Sequence, residues 1–169
     1  MLIHQKTSEA LDVLYSAFFD LNATLDRMCS VMLNTWCMPN ASELIHTNLA
    51  HLMPVMADDI SKIKDNYNIS SVRYAVHEDK RDYINLQDMF DTLLDEFDNV
   101  YEVISLTIEV AKEHKNYNVQ ADLLHFMSKF NKVIGVVMTL SDKSKQMPTN
   151  YDTFDERIGK WGIDGLGDM

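Results

Sequence analysis

The sequence contains very little of what interrupts a helix. Of its 169 residues only five are glycine and three are proline, and four of the glycines fall in the last eleven residues, from Gly159 to Gly167. Glycine and proline are the strongest local breakers of helices and strands. Because the rest of the chain has so few of them, we predict an all-α fold.

Basic charge, cysteine and long apolar runs are also scarce. The chain has 15 basic and 26 acidic residues, a formal net charge of −11 that repels nucleic acid phosphates, so DNA binding is not expected. Cys29 and Cys37, the two cysteines, lie about 12 Å apart along one predicted helix, too far for a disulfide with each other. We expect both to be buried and reduced. No apolar run reaches the roughly 20 residues of a membrane span, and the start lacks a signal-peptide core, so we expect a cytoplasmic protein.

Apolar residues recur at helical spacing in four long segments. The first helix should begin at Thr7 or Ser8 and run to about Trp36, and the second should run over residues 40–67 with a kink near Pro54. The third should begin at Asn85, which can cap it. We expect Asn118 to cap the fourth, which ends before Pro148.

The remaining segments are a connection and a tail. Residues 68–84, between the second and third helices, are too long for a tight hairpin and predict a crossover with at most one helical turn. Residues 1–145 should form one bundle. Residues 146–169 should form a tail with a short amphipathic segment that docks or stays loose.

Two stretches resemble the helix junctions of the Dps mini-ferritins, the family of DNA-binding proteins from starved cells. In "TWCMPNASELIH", residues 35–46, Trp36, Pro39 and His46 match the family's junction between its first two helices, and "AKEHKNYNVQADLLHFM", residues 111–127, is similar to the later junction. The resemblance implies a ferritin-like four-helix bundle with a long crossover between helices 2 and 3. It also implies dimers that build a dodecameric shell, a ferroxidase that oxidises and stores iron, and a role in stress response.

The chain departs from this family where the family binds its metal. Dps proteins bind iron between two subunits, through histidines of the first junction and an aspartate and glutamate on the second helix. Thr35 stands at the first histidine position, and Lys62 stands where the glutamate is expected, four residues after Asp58. The resemblance therefore implies a ferroxidase centre that is weakened or rebuilt from other residues.

The stretches "SELIH" and "ADLLH" each place a carboxylate three residues before a histidine, the spacing of di-iron helices. Glu43 and His46 lie at the start of the second helix, and Asp122 and His125 lie at the start of the fourth. In this fold those starts are at opposite ends of the bundle, roughly 35 Å apart at 1.5 Å per residue. The four residues cannot ligate one ion.

A metal site rebuilt between two subunits remains as a hypothesis. Its candidate ligands all lie on the second helix, and a partner copy could bring imidazoles of one chain to carboxylates of the other, a ligand set suited to iron or another divalent metal. The candidates are Glu43, His46, His51, Asp58 and Asp59. The other hypothesis is a ferritin-like bundle without ferroxidase activity that acts as a structural or protein-interaction module.

Overall fold

Long helices dominate the computed structural model, which describes residues 2–169. In chain order the helices are α1 (Gln5–Asn34), α2 (Pro39–Ile45), α3 (Leu52–Asp65), α4 (Leu86–Glu113), α5 (Tyr117–Gln146) and α6 (Tyr151–Arg157). A π-helical turn, His46–Ala50, joins α2 to α3, and two 3-10 turns, Ile158–Lys160 and Ile163–Asp168, follow α6. The described residues contain no strand. This confirms the predicted all-α four-helix bundle with a long crossover and a short C-terminal tail.

Phenylalanines fill the middle of the bundle. Phe18 of α1 lies edge-on to Phe126 and Phe130 of α5, with ring centres 5.6 and 5.8 Å apart. Phe97 of α4 stacks on Phe130 at 5.6 Å. Aromatic pairs in these geometries add to the stabilisation that burial of their area provides. Aromatic contacts in the interior therefore join α1, α4 and α5.

The second long helix is interrupted one turn before Pro54. Proline has no N–H to donate to the carbonyl four residues earlier, which belongs to Ala50. The side chain of Asn22 in α1 donates to that carbonyl instead, at 2.9 Å. The disturbance that the sequence predicts at Pro54 therefore takes the form of the π-helical turn His46–Ala50.

The crossover is extended and lies along α1. Three α1 side chains, spaced four residues apart, accept backbone N–H groups of the crossover: Asp12 from Val72, Ser16 from Tyr74 and Asp20 from His77, each at 2.9 Å. Residues 69–83 contain no helical turn. Because these contacts occupy one stripe of α1 at helical spacing, the stripe fixes the path of the crossover over the bundle.

Two helix starts were predicted with different success. Asn85 caps α4 by accepting from Asp88 N–H at 2.9 Å, as predicted. The prediction that Asn118 caps the fourth helix is wrong, because α5 begins at Tyr117 with Asn116 at the N-cap position. The Asn116 side chain accepts instead from the Thr7 hydroxyl at 2.8 Å.

Only one of the two cysteines is buried. Cys29 is buried in α1, as predicted, but Cys37 is exposed, so that part of the prediction is wrong. The reason is that α1 ends at Asn34, and Cys37 then adopts a left-handed backbone conformation, with φ of 55°, in the turn before α2.

The tail packs on the start of the second helical segment. Phe154 is fully buried and contacts the rings of Phe90 and Trp161. The Asp155 carboxylate accepts from the backbone N–H of Ala41 at 2.7 Å and from the Asn40 side chain at 3.1 Å. A carboxylate at a helix N-terminus satisfies free N–H groups and opposes the positive end of the dipole. The tail therefore docks by both apolar burial and capping.

Candidate functional site

Within residues 2–169, no carboxylate is buried in the middle of the bundle. Di-iron proteins of this architecture project a glutamate or a Glu-x-x-His pair inward from each helix. The inward residues here include Phe18, Met53, Met56, Phe97 and Phe130, all fully buried. Among residues 2–169 the buried ionised side chains are Asp12, Lys64 and Asp155, and these are used in an ion pair and a helix cap. The described bundle therefore lacks the ligands of an internal di-iron centre.

Of the five predicted metal ligands, the structure brings two into contact. The rings of His46 and His51 lie with their centres 4.3 Å apart and their planes at 62°. The π-helical turn brings about this contact, because the His51 N–H bonds to the His46 carbonyl at 3.1 Å. Both residues are exposed.

The predicted carboxylates lie elsewhere on the second helical segment. Glu43 and Asp58 are exposed on α2 and α3. Asp59 lies in a cleft of about 410 Å³ between α3 and α5, where it accepts from Lys62 at 3.0 Å and from Lys129 at 2.7 Å. Burial alone raises the pKa of Asp59, but the hydrogen bonds and charges of Lys129 and Lys62 hold it below its usual range.

The same cleft receives the "ADLLH" stretch. Asp122 and His125 line it together with Asp59 and the two lysines. His46 and His51 do not line this cleft. The two similar sequence stretches therefore contribute to different surfaces, as their positions at two helix starts predict.

Asp26 of α1 is a neighbour of the histidine pair that the sequence reasoning did not identify. Its Oδ1 lies 3.3 Å from Nδ1 of His46. Asp26 is twenty residues before His46 in the sequence. It could be recognised there only as a carboxylate near the end of the first helix, with no pattern linking it to His46. Burial and then the Asp26 charge raise the pKa of the nearby Cys29 thiol to about 12.

A second polar cluster holds the end of the crossover. The Arg81 guanidinium donates to Asp79 at 2.6 Å, to Glu96 at 2.7 Å and to the Thr24 hydroxyl at 2.9 Å. Burial alone raises the pKa of Asp79, but the hydrogen bonds and charge of Arg81 hold it below its usual range. This cluster pairs one guanidinium with two carboxylates from the crossover and α4, and we assign it to fixing the crossover.

Within one chain the candidate ligands do not converge. No group of three or more His, Cys, Asp or Glu side chains in the part of the chain that the structure describes could hold a metal ion. The inter-subunit set Glu43, His46, His51, Asp58 and Asp59 remains a prediction, since it requires a second copy. No helix in residues 2–169 is both long and apolar enough to cross a membrane.

Comparison with solved structures identifies the fold. No family model matches the sequence, and no curated protein gives a significant match to it. The open pore ferritin of the hyperthermophilic archaeon Archaeoglobus fulgidus superposes with a TM-score of 0.81 at 16% identity, covering 98% of this chain and 98% of that one. A mutant of ferritin from the same archaeon gives 0.84 at 14% identity, over 94% and 97% of the two chains. A humanized archaeal ferritin gives 0.80 at 13% identity, over 98% and 96%.

These likenesses show that the chain has the ferritin fold over nearly its whole length. They support the ferritin-like part of the resemblance and do not single out the Dps branch. At such low identity, the likenesses do not assign the metal-binding residues of those ferritins to residues of this chain.

Proposed function

We propose that this protein is a ferritin-type subunit that assembles with copies of itself into a shell and binds iron there. What chiefly supports this is that the likeness to ferritin covers 98% of the chain. The net charge of −11 supports it further, because an acidic shell attracts Fe(II). The finer form of the proposal is a cytoplasmic, Dps-like shell of dimers, dodecameric if it follows that family.

Iron binding in this proposal takes place between subunits. The aromatic interior argues against a ferroxidase centre inside one bundle, whereas the outer side of the second helical segment carries histidines and carboxylates. A partner copy alongside this segment could combine His46 and His51 of one chain with Asp58 and Asp59 of the other, with Glu43 beside them. Lys62 weakens such a site because it neutralises Asp59.

Aerobic loading with Fe(II), followed by size-exclusion chromatography with light scattering, tests this proposal. We expect one large species whose iron elutes with the protein, and Fe(II) oxidation little faster than in protein-free buffer. A monomer or dimer at physiological salt would refute the shell.

Lys62→Glu gives the sharper comparison. It removes one of the two cations on Asp59 and places a carboxylate where Dps proteins have one, so we expect faster oxidation than in the wild type. Lys132→Glu makes the same charge change at an exposed position of α5 and should leave the rate unchanged. Equal acceleration by both variants would show that the faster oxidation comes from the change in overall charge and not from a carboxylate at position 62.

The second candidate is a ferritin-like bundle that binds no iron and serves as a structural or protein-interaction module. The apolar interior favours it, as do Thr35 and Lys62 at positions where Dps proteins have metal ligands. Absence of iron uptake by both the wild type and Lys62→Glu would support this candidate.

A further inference from the structure

The π-helical turn His46–Ala50 gives the surface a pair of imidazoles that a regular helix would separate. Residues five apart in an α-helix point about 140° away from each other, since each residue turns the helix by about 100°. In a π-helical turn the hydrogen bond runs between residues five apart. It therefore places His51 about one turn below His46 on the same side of the helix, and the two rings come into contact.

This turn is built into the fold. Pro54 removes the N–H that would continue an α-helix to the Ala50 carbonyl, and Asn22 supplies the missing donor from α1. Ala50 and Leu49 are fully buried, so the turn is also anchored in the core. The histidine pair therefore sits on a fixed backbone, with only the rings free to adjust.

A carboxylate, Asp26 of α1, lies beside one of the two rings. Metal-bound histidines usually donate their other ring N–H to a carboxylate, which fixes the tautomer and raises the basicity of the ligating nitrogen. Asp26 Oδ1 lies 3.3 Å from His46 Nδ1, an ion-pair distance, and an Nδ1–H donated to Asp26 on metal binding would leave the Nε2 lone pair free for the ion. The His46 side chain is 48% exposed, so an ion in solution can reach it.

We propose that His46 and His51 chelate one divalent transition-metal ion of the Zn²⁺, Ni²⁺ or Cu²⁺ class, with Asp26 as the positioning residue for His46. With a metal–nitrogen distance of about 2.1 Å, two imidazoles on one ion have ring centres about 4.6 Å apart at a right angle and about 5.3 Å apart at the tetrahedral angle that Zn²⁺ prefers. From the observed 4.3 Å, the exposed rings must therefore open by about 0.3 to 1 Å, which rotation about their side-chain bonds allows. Water completes the coordination of the ion.

Two imidazole nitrogens favour borderline transition metals over Mg²⁺ and Ca²⁺, which prefer oxygen ligands. The proposal uses two residues of the inter-subunit iron site but needs neither a partner chain nor iron. It can therefore succeed or fail independently of the shell.

Titration of the metal-stripped full-length protein with Zn²⁺ in a calorimeter, at neutral pH and with Mg²⁺ in excess, tests the pair. We expect one strong zinc site per chain. His46→Ala and His51→Ala should each weaken it by at least about 100-fold, and Asp26→Asn by about 10- to 100-fold, the usual cost of losing an orienting carboxylate. His125→Ala, an exposed histidine on α5, is the matched control and should leave binding unchanged.

Circular dichroism of each variant checks that it folds. The proposal is overturned if the wild type binds no zinc in the presence of Mg²⁺, or if either alanine variant binds within about threefold of the wild type. Sizing the same samples separates the two proposals. A monomer that binds zinc through His46 and His51 would refute the shell alone, and a shell that keeps its zinc affinity in both alanine variants would refute the pair alone.

Discussion

The buried ion pair between Asp12 and Lys64 joins α1, α3 and the crossover. Lys64 Nζ lies 2.6 Å from Asp12 Oδ1, and the two side chains are 2% and 8% exposed. The same oxygen accepts from Val72 N–H at 2.9 Å. In Asp12→Ala the Lys64 ammonium keeps no counter-ion, and Val72 loses its acceptor. Leaving one partner of a buried pair uncompensated costs about 3–5 kcal/mol. We expect the free energy of unfolding to fall by about that amount, a large share of the stability of most domains.

Urea unfolding at pH 7, followed by far-ultraviolet circular dichroism, measures the loss. The matched control is the double variant Asp12→Ala/Lys64→Met, in which an uncharged side chain of similar length replaces the lysine. Because replacing both partners of a buried pair by apolar groups is often close to neutral, the double variant should regain most of the lost stability. The reasoning is refuted if Asp12→Ala loses less than about 1 kcal/mol, or if the double variant is no more stable than the single one.

Three further predictions concern the tail, the thiols and the crossover. Asp155→Ala removes the cap from Ala41 N–H and should lower the free energy of unfolding by about 0.5–2 kcal/mol in urea titration; no change would contradict the docking described. At pH 8 a maleimide or iodoacetamide should label Cys37 alone in the native protein, since burial raises the pKa of Cys29 to about 12, and mass spectrometry should find both labelled in denaturant. Because the pKa of Asp79 is held low in the folded protein, its contribution is present above about pH 4, the unfolded value, and is lost as pH falls below it. Pepsin cleavage in the crossover should therefore increase towards pH 3 more in the wild type than in Asp79→Asn, and equal increases would contradict the assignment.

Most of the fold could be predicted from local sequence patterns. The four helices follow from apolar residues at helical spacing, and the stop at Pro148 and the cap at Asn85 follow from the side chains at those positions. The position of Asn116 at the start of α5 could not be predicted from the local sequence. Its side chain accepts from Thr7, more than a hundred residues away in sequence, and α5 begins at Tyr117, one residue before the predicted cap Asn118.

The candidate site was predictable only in part. Pro54 predicted a disturbed helix, but the sequence does not distinguish a kinked α-helix from a π-helical turn. Only the π-helical turn brings His51 into contact with His46. The contact with Asp26 depends on how α1 packs against this turn. Asp59 illustrates the same limit, because Lys129, its closer partner, comes from α5 and neutralises a carboxylate that looked free in the sequence.

A crystal structure of protein grown with Fe(II), with anomalous scattering measured at the iron edge, tests the central claim most directly because it reports assembly and metal together. The account predicts a closed shell of identical subunits, with iron peaks between subunits beside the second helical segment and none inside the phenylalanine-filled bundle. A monomer or dimer without iron peaks would contradict it.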